Sequence, residues 1–310
     1  MSTFQCSPAL HRRDGDTCLP YTALQRLTRA WNKTHPRHKI SVRKTRKNGK
    51  QTAGEESQQP QNNLTLWNQL REKMKSHYKC DTEFCAVKKI PGLSDTDKKT
   101  LKGFFKPEKP QIWDKKPTDW LDSYNIQDVM KQYEDAYPFF DFIGPVPIDF
   151  DAKDENNWGK CIVNELCNLD LKDLAKKGKT KIGIIFNLDP HDEPGSHWVC
   201  AFIDLEKSAA YYYDSYGYKP QEEIVRLLKR CKDQGCKNIY YNDIRHQRKT
   251  SECGAFCLLV IICLLKGKEF LDICKTMVND DEMNKIRDII FAEETPRTGA
   301  LEEALKTFCI

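Results

Sequence analysis

Apolar residues recur at helical spacing in two stretches near the start of the chain, first Leu19, Leu24, Leu27 and Trp31, then Leu66, Trp67, Leu70 and Met74. Each stripe predicts an amphipathic helix with one face against a core. Pro91, Pro107, Pro110 and Pro117 then punctuate a poorly periodic region that reads as an extended connector, with a domain boundary near residue 110. From Trp120 the segment WLDSYNIQDVMKQYEDAY sets Ile126, Met130 and Tyr133 on one face of a helix that Pro138 ends. A helix over Leu166 to Ala175, a buried strand in KIGIIFNL, two strands in HWVCAFIDL and SAAYYYD, a helix over Lys219 to Lys232 and a strand in NIYYND follow. Cys253 to Lys266 is apolar nearly all round, which predicts a helix buried at the domain centre rather than one with a wet face. Two short helices, near Glu269 to Met277 and Glu282 to Ala292, close the pattern. The sum is an α+β domain over 111–310 with a mixed sheet, preceded by a helical arm over 1–110.

Composition narrows the class. In 310 residues, 39% hydrophobic side chains supply a core, while 31% charged ones demand a large wetted surface. The longest near-continuous apolar run, Ala255 to Leu265, is about half of the ~20 residues that span a bilayer, so no membrane span is expected. The opening residues lack an apolar signal core, and secretion is not expected. Thr17 to Gly54 holds ten Lys or Arg and no acid, so that stretch is strongly basic within a chain of net charge +5. Its densest part, Arg43, Lys44, Arg46, Lys47 and Lys50, begins a low-complexity linker over about 43–63. It reads as a solvated loop, or as a weak nucleic-acid contact through phosphate attraction alone, since no aromatic side chain interrupts it for base stacking.

Fourteen cysteines over this length, behind no signal sequence, predict free thiols in a reducing compartment. The spacings of Cys80 and Cys85, Cys161 and Cys167, and Cys231 and Cys236 do not suit zinc, and no His-Glu-x-x-His or Gly-rich phosphate loop is present. No metal and no cofactor are expected.

Two distant segments carry reactive side chains: one holds His197 and Asp214, the other Gln247 and Cys253. Cys253 stands where a polar loop meets an apolar helix, and a helix N-terminus with a neighbouring imidazolium favours a thiolate. His197 heads one predicted strand and Asp214 ends the next, so a hairpin brings them together. An Asp on one ring nitrogen leaves the other for the thiol. Gln247 can aim its amide at a developing oxyanion beside the Cys253 backbone N–H. Each piece alone is weak: free Cys is usually a packed hydrophobe, as Cys257 is expected to be, and His191 lies in a turn.

The joint order His197-Trp198, Asp214-Ser215, Gln247, Cys253-Gly254 resembles the ubiquitin-like-protease superfamily of cysteine peptidases, which includes SUMO proteases and the adenovirus protease. Trp120-Leu121-Asp122 resembles the element that begins the catalytic domain there. The resemblance implies a papain-like core with a central mixed sheet and a buried nucleophile helix. It assigns Cys253 as nucleophile, His197 as base and Asp214 as its orienting acid, with Gln247 in the oxyanion hole. Trp120 and Trp198 then wall a tunnel that admits only glycines beside the scissile bond. A tighter resemblance is to virion-maturation proteases of large nucleocytoplasmic DNA viruses. CLPYTALQRLTRAWNKTHP, LWNQLREKM, GPVPIDF, GIIFNLDPHDEPGSHWV, SECGAF and DDEMNKIRDIIF carry it. Glu252 departs from the Asp common before the nucleophile in cellular relatives. That branch implies Gly-Gly or Gly-Ala cleavage of a structural polyprotein, in the virion and at assembly sites in host cytoplasm. A deconjugase of SUMO or ubiquitin-like tags, a non-catalytic nucleic-acid-binding virion component and an acyltransferase stay open as alternatives.

Overall fold

A computed structural model describes residues 5–10, 17–42, 59–154 and 158–295. The basic residues Arg43, Lys44, Arg46, Lys47 and Lys50 lie outside the described residues. The chain divides into two compact units, one formed by residues up to Lys109 together with those from Ile289, the other by Pro110–Asp288.

The first unit contains α1 (Tyr21–Thr34), α2 (Gln59–Tyr78), α3 (Glu83–Lys89) and α4 (Asp95–Lys102). Leu24, Leu27, Trp31, Leu66, Trp67, Leu70 and Met74 are all buried in one cluster, as their spacing predicts. The helix α4 lies where a connector was expected, and α3 just before it, where no element was assigned. Both are too short for a periodic stripe to register, but each has a cap: Thr82 accepts from Cys85 N–H and Ser94 from Asp97 N–H. The division differs from the expected one at its C-terminal end, because Ala292 packs in this first core and exchanges backbone hydrogen bonds with Pro107 and Lys109.

The second unit runs α5 (Ser123–Ala136), β1 (Phe140–Pro147), β2 (Lys153–Asp154), β3 (Lys160–Cys161), α6 (Asn164–Cys167), α7 (Leu171–Lys176), β4 (Lys181–Asn187), β5 (Trp198–Asp204), β6 (Ala209–Tyr213), α8 (Glu222–Asp233), β7 (Asn238–Tyr241), α9 (Cys253–Leu265), α10 (Phe270–Thr276) and α11 (Asp280–Ile290). Five strands form a mixed sheet in the order β1-β4-β5-β6-β7, parallel at both edges and antiparallel in the middle. Alternation divides its faces. Ile182, Ile184, Phe186, Val199, Ala201, Ile203, Ala210 and Tyr212 pack with Ile224, Leu227 and Leu228 of α8. The opposite face takes α9, every residue of which is buried. At Gly183 a Cβ would come within 2.9 Å of the Phe140 ring and 3.3 Å of Ile261, so the missing side chain is what lets α9 lie this close to the sheet.

The cysteine expectation is corrected. Cys6 pairs with Cys18, Cys80 with Cys85 and Cys161 with Cys167 as disulfides. Folding sets their Cα atoms 5.1, 5.5 and 6.2 Å apart, within bridging reach, and spacing along a chain carries no such distance. Seven others, including Cys253 and Cys257, are free and buried. Among the described residues no helix is long and apolar enough to cross a membrane, and no group of three His, Cys, Asp or Glu is arranged to hold a metal ion.

Candidate active site

Three elements converge at one end of the sheet. The first residue of α9 is Cys253, so its backbone N–H and those of the next two residues have no carbonyl ahead of them within the helix. Aligned peptide dipoles behind them favour negative charge on the thiol. His197 immediately precedes β5 and Asp214 immediately follows β6. The antiparallel register, with Cys200 opposite Tyr213, brings the two side chains together as the hairpin argument required.

Asp214 Oδ1 lies 2.8 Å from His197 Nε2, with Asp214 buried and His197 nearly so. That contact leaves Nδ1 for the thiol of Cys253, which acts on the same ring. Burial works against a charged imidazole, but Asp214 and Cys253 outweigh it and lift the His197 pKa to about 9. Asp214 is itself held by the Tyr216 N–H, which donates to Oδ1 at 2.8 Å, and by Asn242, whose amide donates to the Asp214 carbonyl at 2.8 Å.

Gln247 is completely buried. Ser215 Oγ donates to its Oε1 at 2.6 Å, and its Nε2 donates to the Lys249 carbonyl at 2.9 Å. The serine therefore fixes which end of the amide is the donor, and Nε2 keeps a second N–H available.

Trp198 is buried, and its Nε1 donates to the Leu121 carbonyl at 3.0 Å. A Cβ on Gly254 would approach Leu121 to 3.1 Å and the Trp198 ring to 3.2 Å, so the glycine beside the nucleophile allows both to close over the helix tip. Trp120 is not part of that packing in the same way: it is 41% exposed, one residue before Leu121. An open groove of about 220 Å³ reaches Trp198, with Ser123, Val146, His191 and Glu193 among its walls.

Behind Cys253, Glu252 is buried. Its Oε1 accepts from Ser251 at 3.1 Å and Asn284 at 2.8 Å, and the Arg287 guanidinium stands 3.5 Å away. Arg287 also donates to the Asp119 and Pro117 carbonyls and lies 4.1 Å over the Trp113 ring. This network ties α11 to the segment that leads into Trp120 and Leu121. Sequence reasoning gave no role to Arg287, Asn284, Ser215 or Tyr216, although Ser215 stood in the Asp214-Ser215 pair. Their partners lie 32 to 170 positions away in most contacts, and only Ser215 and Tyr216 stood beside a residue already singled out. Cys257 is buried with its thiol pKa pushed well up by burial, as a packing residue should be. His191 pairs with Asp149 at 2.6 Å on the surface.

The profile of the Ulp1 protease family, C-terminal catalytic domain, matches residues 171–298, which include His197, Asp214, Gln247 and Cys253. A protein of Acanthamoeba polyphaga mimivirus named as a thiol protease is 34% identical over 200 residues, covering 63% of this chain and 62% of that protein. The chain thus matches less than two thirds of that relative's length. A cysteine protease of African swine fever virus is 26% identical over 230 residues, 68% of this chain and 83% of the relative. The crystal structure of an African swine fever virus protease has the same fold, with a TM-score of 0.60 at 22% identity over 94% of this chain and 96% of that one.

Proposed function

We propose that the chain is a cysteine endopeptidase acting at Gly-Gly or Gly-Ala sites, a reading supported by the match of residues 171–298 to the catalytic-domain profile of the Ulp1 protease family. The observation that carries the reading is the run Asp214–His197–Cys253 at the tip of a buried helix, with a 2.8 Å hydrogen bond between the first two and the thiol acting on the same ring. In the reaction, the Cys253 thiolate adds to the scissile carbonyl, and the oxyanion is met by the Cys253 N–H and the Gln247 amide. The C–N bond breaks as His197 gives its proton to the leaving amine. A water then loses its proton to His197 and adds to the thioester, releasing the acid and restoring the thiol.

The Gly preference is supported by Trp198, pinned through Leu121 over Gly254; in this reading Trp120, exposed and one residue before Leu121, would form the second wall. The relatives are proteins of large DNA viruses, which supports processing of a structural polyprotein during virion maturation, at assembly sites in host cytoplasm and within the particle. The second reading is removal of a SUMO-like or ubiquitin-like tag, since one African swine fever virus relative, 26% identical, is named a SUMO-1 cysteine protease.

Fluorogenic Gly-Gly-X peptides, set against SUMO and ubiquitin C-terminal amides, test both. Turnover of the peptides with none of the folded tags supports the endopeptidase, and the reverse supports the deconjugase. Turnover surviving in Cys253→Ala defeats both.

A further inference from the structure

The Asp214 hydrogen bond fixes the direction of His197 Nε2 but not the orientation of the ring. An imidazole held at one nitrogen still turns about that axis, and a turn carries Nδ1 away from the thiol. Something must block the rotation. Tyr216 lies against the imidazole face, with ring centroids 4.6 Å apart and planes 26° from parallel.

Tyr216 is held in place from several directions. Its N–H donates to Asp214 Oδ1 at 2.8 Å. Its hydroxyl donates to the Lys249 carbonyl at 3.2 Å, the acceptor that Gln247 Nε2 also uses. The Arg245 guanidinium lies 5.4 Å over its ring, while Arg245 Nε donates to the Gln247 carbonyl at 3.1 Å. Gly217 follows with φ +73°, and a Cβ there would stand 2.8 Å from the Ile244 carbonyl carbon, so the turn that carries Tyr216 is closed tightly onto the Ile244–Arg245 backbone.

We infer that Tyr216 is a positioning residue for catalysis, a flat wall that holds the His197 ring in the plane where Nδ1 meets Cys253. The inference rests on the reading of His197 and Cys253 as the working pair. A π face also tolerates the charged imidazole better than an aliphatic wall does.

The test uses the full chain and the variants Tyr216→Phe, Tyr216→Leu and Tyr216→Ala, with hydrolysis of a Gly-Gly-X peptide and iodoacetamide labelling of Cys253 at pH 6. Labelling reads the thiolate without any peptide turnover. Tyr216→Ala and Tyr216→Leu are expected to lower kcat at least tenfold with KM within twofold, and to slow labelling at least fivefold. Tyr216→Phe, which keeps the ring, should stay within threefold of wild type on both. Tyr216→Leu keeps most of the bulk, so an unchanged melting temperature beside lost kcat separates positioning from general stability. The inference is overturned if labelling in Tyr216→Ala matches wild type, if Tyr216→Phe falls as far as Tyr216→Ala, or if only KM moves. Should the wild-type chain cleave none of the peptides while labelling responds as expected, the positioning role stands and the endopeptidase reading falls.

Discussion

Ser215→Ala should damage catalysis only through Gln247. The lost hydroxyl donates to Gln247 Oε1 at 2.6 Å, and both residues are fully buried. Losing the donor to a buried carbonyl oxygen costs about 1–3 kcal/mol in stability. For a catalytic unit of roughly 180 residues that is a drop on the order of 2–12 °C in melting temperature, at about 2–4 °C per kcal/mol. The kinetic effect has a separate size. Removing an oxyanion donor outright lowers kcat by about 10²- to 10³-fold. Ser215→Ala leaves the donor present but free to turn, so a loss of about tenfold is expected, or about 1.4 kcal/mol in the barrier. Gln247→Ala should show the full loss, with KM little changed. The decisive measurement is the double variant: once Gln247 is gone, Ser215 has nothing to orient, and kcat should equal that of Gln247→Ala alone. Steady-state hydrolysis of a Gly-Gly-X peptide by the four proteins gives the cycle. Fully additive losses, or a Ser215→Ala effect confined to KM, would refute the reasoning.

Three further outcomes are expected. Cys253→Ala should abolish turnover and active-site labelling, whereas Cys257→Ala should keep labelling and lose stability; the opposite pattern in a mass-spectrometric labelling assay would name the wrong thiol. The His197 pKa is raised to about 9 from 6.5, so its pairing contributes fully below about pH 6.5 and is lost as pH climbs through about 9. A thermal scan from pH 6 to 10 should show that loss in wild type and not in His197→Ala. Arg287→Ala leaves Glu252 buried without its cation and should destabilise the second unit by about 3–5 kcal/mol in urea unfolding, with Arg287→Lys unable to reproduce the two carbonyl contacts.

The sequence made the catalytic helix plain because α9 has no polar face to hide its burial, and it made β4, β5 and β6 plain through their apolar runs. It hid β1, where Gly144-Pro145 reads as a break; the structure absorbs the pair as an irregularity in register between Ile143 and Val146. The candidates His197, Asp214 and Cys253 were legible since each sits at an element end and the order of types is distinctive. Their supports were not. Arg287 is a charged residue on an amphipathic helix, and nothing local says that it lies buried against Trp113 and Glu252. The disulfides were hidden for the same reason: a short spacing permits a bridge or a pair of packed thiols, and only the folded geometry chooses.

The late return of the chain to the first core sets an order on its birth. Ala292 fills that core, its N–H and carbonyl bond Pro107 and Lys109, and the Ile289 carbonyl accepts from Lys106 Nζ. Glu294 meets Lys88 and Lys89, and its carbonyl accepts from Thr82. A ribosome delivers these residues about 190 positions after α4, when α9 has already emerged. The arm, although translated first, is therefore completed only after α9, and a fragment cut at residue 109 lacks the plug that completes it.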